Sequence, residues 1–129
     1  MRLGLLEEVC LTSEDFGWVV GFLEGEGSFR RAKDGTLSVH AGQVNKEPLD
    51  RLQSLLGGSV YPASAEYQRK RGVKASDSWT WVIRSGEAAK LMLSSYKLLS
   101  NKRKEQVRVA LGVDGIIIEA LILASEGKL

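Results

Sequence analysis

Hydrophobic and polar positions follow two periods along the first half of the chain, one typical of helices and one typical of strands. An apolar run with helical spacing predicts a first helix at about 13–25. Strands are predicted next, at 28–33 and 36–44, joined by a tight turn at Asp34 and Gly35. Because the second strand alternates apolar and polar residues, one face of the sheet is expected to cover a core.

The second half repeats the same order of elements. Pro48 suits the first turn of a helix whose leucines recur at helical spacing, and two glycines at 57–58 end it. A third strand opens at Val60, residues 62–77 are expected to form a long basic hairpin loop, and residues 79–83 alternate as a fourth strand. This order predicts an internal αββ repeat and an α+β fold, with a four-stranded antiparallel sheet and helices on one face.

The rest of the chain is predicted to be mainly helical. One helix is expected from Glu87, another after the Ser-Asn pair at 100–101, and a last one over the apolar stretch 116–123. Residues 1–11 are interpreted as a leading helix or arm. With 129 residues, 43% of them hydrophobic and 26% charged, the chain is expected to fold as a single domain over residues 1–129.

The cysteine content and the start of the chain bear on the compartment in which the protein works. Cys10 is the sole cysteine, so the chain cannot form an internal disulfide, and a reducing compartment is expected. The opening MRLGLLEE has too short an apolar core for a signal peptide, and no apolar run approaches the roughly 20 residues that span a bilayer. A cytoplasmic or organellar interior, with no membrane partner, is therefore predicted.

Charge is distributed unevenly, although the net charge is only +2. Residues 1–27 hold one basic and six acidic residues, whereas residues 66–108 hold eleven basic and four acidic residues. A basic half of this kind favours an anionic partner. The alternative interpretation of the basic half, if charge were the sole observation, is an ordinary solvated face.

The first helix combines a glycine stripe with two acidic residues at its end. The glycines of the stripe, Gly17, Gly21 and Gly25, lie four apart on one helix face, where another backbone could approach closely, in a partner chain or within the same chain. Glu24 and Glu26 oppose the helix macrodipole, and a bound cation would reverse that effect. If two copies met along the stripe, their Glu26 carboxylates would approach each other, which requires protonation or a divalent metal such as Mg²⁺ or Ca²⁺.

Residues 19–27, VVGFLEGEG, resemble the nine-residue signature of the LAGLIDADG homing endonucleases. Gly21, both acids and Gly27 stand in register with that signature. The resemblance implies that Glu26 is the metal-binding catalytic acid. It also implies an αββαββα fold whose antiparallel sheet forms a saddle.

Three further segments are similar to the same family. One is the strand-to-helix junction that begins at Gln43, another is the predicted fourth strand at 79–83, and the third is LSNKRKEQ at 99–106. These similarities imply active-site roles for Gln43 and for a basic residue that is best matched to Lys102. The resemblance covers about 13–111, and the predicted helical tail at 112–129 matches no part of the family pattern that we can place.

The resemblance implies a site-specific endonuclease that makes a double-strand break in a long, pseudo-palindromic DNA site as a homodimer. The implied cofactor is Mg²⁺, with Ca²⁺ or Mn²⁺ as substitutes. Gln43 would orient water, and Lys102 would stabilise charge in the transition state. The predicted dimer contact contains five residues of the first helix, namely Gly17, Val20, Gly21, Glu24 and Gly25.

Double-stranded DNA is the expected partner of the polar face of the sheet. A twisted antiparallel ribbon can enter the major groove, where its polar side chains would meet base edges and phosphates, while the basic loop would hold the backbone. The predicted contacts are Ser28, Arg30, Thr36, Ser38, His40, Arg69, Lys70, Arg71, Lys74, Ser78 and Thr80.

Several alternative interpretations stay open. A chain of this fold could be an RNA splicing maturase or a DNA-binding regulator without cleavage, and a small α+β interaction protein without nucleic acid is a third hypothesis. Glu24 is interpreted mainly as structural. Arg103 or Lys104 could replace Lys102 in the alignment, and Gln43 could be an ordinary polar residue at a strand end.

Overall fold

The structure, a computed structural model, describes residues 11–74 and 76–125. Apart from Leu11, the predicted arm at 1–11 lies outside this part of the chain, as does Cys10. The α+β fold class is confirmed, because four strands form one antiparallel sheet and helices pack against it. The predicted αββ repeat is present as well.

The described chain begins with a helix and two strands and then repeats that order before a helical C-terminal part. In chain order, the elements are α1 Ser13–Glu26, β1 Gly27–Arg31, β2 Leu37–Gln43, α2 Glu47–Leu56, β3 Ser59–Ala63, α3 Glu66–Lys70, β4 Ser78–Arg84, α4 Ser85–Ser95, a 3-10 turn Tyr96–Leu98, α5 Asn101–Leu111 and α6 Gly115–Ser125.

Two local predictions differ from the structure. The region 62–77 is not wholly a loop, because the short helix α3 forms within it. The Asp77 carboxylate fixes that helix by accepting hydrogen bonds from the Ala65 amide at 2.8 Å and from Arg69 Nη1 at 3.0 Å. The helix expected from Glu87 begins earlier, at Ser85, directly after β4. With a φ of 59°, Ser85 makes the turn between the strand and the helix.

The strands are ordered β1-β2-β4-β3, so the second strands of the two repeats lie side by side at the centre of the sheet. All neighbouring strands run antiparallel. Their register aligns Phe29, Val39 and Ile83 in one row, and all three are buried. Since successive side chains of a strand alternate between faces, the intervening residues form a second face, which we call the polar face.

The second repeat is packed around Trp81, which is fully buried and donates its indole N–H to the Gly57 carbonyl at 2.9 Å. Trp79 is half-buried and packs at the edge of the core. The chain passes very close to β4 just after α2. Gly58 has a φ of +91°, and a Cβ at this position would lie 2.5 Å from the Val82 carbonyl oxygen.

Helix α1 buries one side and leaves the other open. Val19 and Leu23 are fully buried, and Val20, which is predicted to be part of a dimer contact, is buried beside them in the core of its own chain. Trp18 and Phe22 are half-buried and stack with ring centroids 5.3 Å apart. The glycine stripe is exposed, and a Cβ added at any of its three positions would meet no atom within 4 Å.

Helix α6 corresponds to the predicted apolar helix near the end of the chain. Ile118 and Ile122 are buried in the core, whereas Ile116 is 81% exposed. Helix α6 therefore adds to the core with one side only. In the described part of the chain, no helix combines the length and the apolar character needed to cross a bilayer.

Replacing Gly58 by alanine is expected to destabilise the fold by about 1–3 kcal/mol, because the residue would keep a positive φ and its new methyl group would clash with a backbone carbonyl. Gly57→Ala is the matched control, since Gly57 also has a positive φ of +80° but no atom lies within 4 Å of an added Cβ. Urea unfolding should show a larger loss of unfolding free energy for Gly58→Ala than for Gly57→Ala. Equal losses would mean that the positive φ alone, and not the clash, causes the destabilisation.

Candidate functional site

The acid turn, which we define as residues 24–27, joins the end of α1 to the start of β1. Gly27 has no room for a side chain, because a Cβ there would lie 2.7 Å from the Leu23 carbonyl oxygen. The helix therefore changes directly into the strand, which places Glu26 at the end of the sheet. Glu26 is exposed, and its carboxylate has no hydrogen-bond or ion-pair partner among the residues that the structure describes.

Glu26 lies between two shallow depressions on the polar face. Gly42 borders both of them. The other lining residues are Gln43, Val44 and Ser78 in one depression, and Ser28, Arg30, His40, Ala41 and Thr80 in the other. The structure thus brings the predicted Gln43 and five of the predicted DNA contacts together around the acid.

Hydrogen bonds arrange the side chains of the polar face before any ligand is present. Ser28 lies opposite His40, and Arg30 lies opposite Ser38. Arg30 Nε donates to Ser28 Oγ at 2.9 Å, and His40 Nε2 lies 3.0 Å from Ser38 Oγ. Partial burial, followed by the charges of Arg30 and Arg84, lowers the pKa of His40. A neutral imidazole can both donate and accept a hydrogen bond, which suits contact with base edges.

Two side chains of the polar face were not predicted from the sequence. Arg84 lies opposite Ser38, and Tyr61, which is 40% exposed, lies opposite Thr80. Extending the strand alternation from Thr80 through Val82 would have identified Arg84. Tyr61 gave no such signal, because it belongs to the short edge strand β3.

Glu24 connects α1 to α5. Its Oε1 accepts a hydrogen bond at 2.6 Å from the amide of Ser100, the residue that caps α5. Hydrogen bonding to Ser100 is the main reason that the pKa of Glu24 is lowered, and the charges of Arg103 and Lys102 act in the same direction. These contacts support the structural interpretation of Glu24, while its part in a dimer contact stays a prediction.

The three basic residues at the start of α5 have different surroundings. Arg103 is half-buried, and it donates Nε to the Glu24 carbonyl at 2.9 Å and Nη2 to the Gly25 carbonyl at 3.4 Å. Lys104 places its ammonium over an aromatic ring, 5.6 Å from the ring centroid. Lys102 is exposed on the first turn of the helix. Of the three, Lys102 is the one whose exposure suits contact with a ligand.

Four of the five predicted DNA contacts outside the sheet have partners within the chain. Thr36 lies in the tight turn, where its amide donates to the Asp34 carboxylate at 2.9 Å. In the basic loop, the pairs are Arg69 with Asp77 at 3.0 Å, Lys70 with Glu66 at 3.1 Å, and Arg71 with the Tyr67 hydroxyl at 3.1 Å. Lys74 is exposed in the same loop.

The oxygen atoms around Glu26 suit a hard divalent cation, but one chain supplies few of them. A carboxylate and the amide oxygen of Gln43 are the types of ligand that Mg²⁺ and Ca²⁺ prefer. In residues 11–74 and 76–125, no three or more His, Cys, Asp or Glu side chains cluster as a metal site would require. A complete site at Glu26 would need ligands from a second chain, from DNA or from water.

No family model matches the sequence, and no curated protein matches it. Solved structures do match. The homing endonuclease I-CvuI, in complex with its target in the presence of Ca, has a TM-score of 0.54 and 18% identity, covering 84% of this chain and 69% of that chain. The archaeal intron-encoded homing endonuclease I-Vdi141I, complexed with DNA, has a TM-score of 0.56 and 21% identity, covering 77% of this chain and 68% of that chain. These likenesses show that the chain has the fold of the LAGLIDADG homing endonucleases, the family whose signature residues 19–27 resemble.

Proposed function

We propose that the protein is a site-specific DNA endonuclease that works as a homodimer with a divalent metal ion. The observation that carries this proposal is the position of Glu26, an exposed carboxylate between two depressions on the polar face of a homing-endonuclease fold. The solved structures of I-CvuI and I-Vdi141I are complexes with DNA, which supports the same class of partner for this chain.

The polar face is the proposed DNA-binding surface. Its central part carries Arg30 and Arg84 on either side of Ser38, with His40 nearby. A curved antiparallel ribbon with such side chains can enter the major groove, where arginine and neutral histidine meet base edges and phosphates. The basic loop between β3 and β4 would contact the DNA backbone farther from Glu26.

A homodimer would supply the second carboxylate. The glycine stripe has open space where a partner helix could pack, since no atom of the same chain lies within 4 Å of an added Cβ at Gly17, Gly21 or Gly25. Two helices that meet along the stripe would bring the two acid turns together and leave the polar faces of both chains on one side. Val20 would support this contact from within the core rather than at its surface.

Mg²⁺ is the proposed cofactor, and Ca²⁺ or Mn²⁺ would be substitutes. When bound, a divalent ion supplies charge neutralisation and an activated water for phosphodiester hydrolysis. Glu26 would hold the ion, and Gln43, which borders the same depression, would orient the attacking water. Lys102 would place its ammonium near the phosphate to stabilise charge in the transition state.

The variant Glu26→Gln is expected to keep DNA binding but to cleave at a rate lower by about 100-fold or more. The amide removes the negative charge of the metal ligand but keeps the shape of the side chain. A duplex would first be selected from a randomised pool by its binding to the unmodified protein in Ca²⁺. Binding and Mg²⁺-dependent cleavage of that duplex would then be measured for both proteins.

Binding and cleavage need separate measurements, since I-CvuI has also been solved with the I-CreI target in the presence of Mg, and that DNA was not cleaved. Glu47→Gln is a control for loss of an exposed acid away from the depressions around Glu26. If the unmodified protein binds the selected duplex but leaves it intact, a DNA-binding regulator is favoured. Preferential binding to RNA would favour the maturase, and absence of binding to either would favour a small interaction protein.

Gly21→Ala is expected to stabilise the isolated subunit by about 1 kcal/mol, because alanine is the better helix former and no atom obstructs its methyl group. The same methyl group would separate two helices packed along the stripe. The dissociation constant of the dimer should therefore rise about tenfold or more. Sedimentation equilibrium measures this change. Gly86→Ala, which also adds an unobstructed methyl group to a helix, should leave association unchanged. Unchanged association in Gly21→Ala would contradict the proposed dimer contact.

A further inference from the structure

Three hydrogen bonds from the start of α5 and its capping residue hold the chain just before Glu26. Arg103 Nε donates to the Glu24 carbonyl at 2.9 Å, and Arg103 Nη2 donates to the Gly25 carbonyl at 3.4 Å. The Ser100 amide donates to the Glu24 side chain at 2.6 Å. Both the backbone and a side chain of the acid turn are therefore attached to the start of α5.

The chain just after Glu26 is bound by the same part of α5. Gln106 Oε1 accepts a hydrogen bond from the Phe29 amide at 3.4 Å. The same oxygen accepts one from Arg103 Nη1 at 3.2 Å. Arg103 and Gln106 thus form one connected group that holds the backbone on both sides of Glu26, although they lie more than 70 residues away in the sequence.

The electrostatics of the helix end explain why an arginine is needed at this position. The last turn of α1 carries acidic residues and no basic one, so its unpaired carbonyls and its carboxylates repel each other. A guanidinium has several donors in a fixed planar arrangement and can bind two carbonyls and an amide oxygen at once. A lysine ammonium at the same position would keep the charge but lose this geometry.

We propose that Arg103 is a positioning residue for Glu26 and that Gln106 completes this function. Its guanidinium fixes the backbone of the acid turn, so the Glu26 carboxylate has a set position before metal and DNA arrive. All three nitrogens of its guanidinium donate to oxygens of the chain, so the role of Arg103 is to hold the acid turn rather than to bind the phosphate. The expected effect of Arg103 on cleavage rests on the proposed function, whereas its expected effect on the acid turn does not.

The variants Arg103→Lys and Arg103→Gln test the proposal, and Arg108→Lys is the matched control. Arg108 lies on the same helix and also anchors it, through Glu105 at 3.0 Å and the Tyr96 hydroxyl at 2.8 Å, but it contacts no residue of the acid turn. Thermal unfolding would establish that each variant is folded. ¹⁵N relaxation of the Gly25, Glu26 and Gly27 amides in DNA-free protein would report the mobility of the turn.

Cleavage of the selected duplex in Mg²⁺ and its binding in Ca²⁺ would be measured on the same variants. We expect both Arg103 variants to increase turn mobility and to lower the single-turnover cleavage rate by on the order of 100-fold, the scale of a small misplacement of a reacting group. DNA affinity in Ca²⁺ should change by less than about threefold, since the Arg103 guanidinium holds the acid turn and is not among the proposed DNA contacts. Arg108→Lys should change neither the turn nor cleavage.

Unchanged relaxation of the turn in folded Arg103→Lys and Arg103→Gln would overturn the proposal, and so would an equal effect of Arg108→Lys. If the unmodified protein cleaves nothing, the proposed nuclease function fails, while the relaxation measurement still decides whether Arg103 fixes the acid turn. If cleavage falls together with DNA affinity while the turn is unaffected, Arg103 acts in DNA binding and the positioning role is excluded.

Discussion

The structure of the site depends on the contact between the guanidinium of Arg103 and the carbonyl end of α1. That helix ends with acidic side chains next to its own unpaired carbonyls, an arrangement that the macrodipole disfavours. Helix α5 brings the compensating positive charge from a position 79 residues later in the chain. The direct change from helix to strand at Gly27 leaves no linker to absorb motion. The placement of Glu26 is therefore a property of the tertiary structure and not of the motif alone.

The two αββ repeats share an architecture but differ at the end of their first helix. Helix α1 ends in the acid turn, whereas α2 ends in two glycines with positive φ that pass close to β4. The second repeat accordingly contributes packing, through the buried Trp81, and half of the polar face, but no acid at the equivalent position. This difference leaves one carboxylate per chain at the site, which is the reason that a second copy enters the proposed mechanism.

The sequence predicted most of the fold because its signals are local. Strand alternation, the turn at Asp34 and Gly35 and the glycines after α2 depend on residues that are close in the chain. Glu26 and Gln43 were predicted as site residues from short segments that resemble the homing endonuclease family, which is also a local signal. Local signals did not predict α3, which depends on the distant Asp77 carboxylate, or the role of Arg103, whose partners lie on another helix. Contacts between distant residues leave no periodic signal in a single sequence.

The ion pairs of the basic loop have a consequence for the energetics of the proposed DNA complex. Arg69 and Lys70 already pair with carboxylates of their own chain, so phosphates that bind them replace protein anions as well as solvent ions. Fewer counterions are then released than the number of basic residues suggests. In a plot of log affinity against log salt concentration, the slope is therefore shallower than the value of about 0.9 per basic residue that full release would give. Such a loop contributes more to the orientation of the DNA than to non-specific attraction, which favours rapid release from sites that lack the correct sequence.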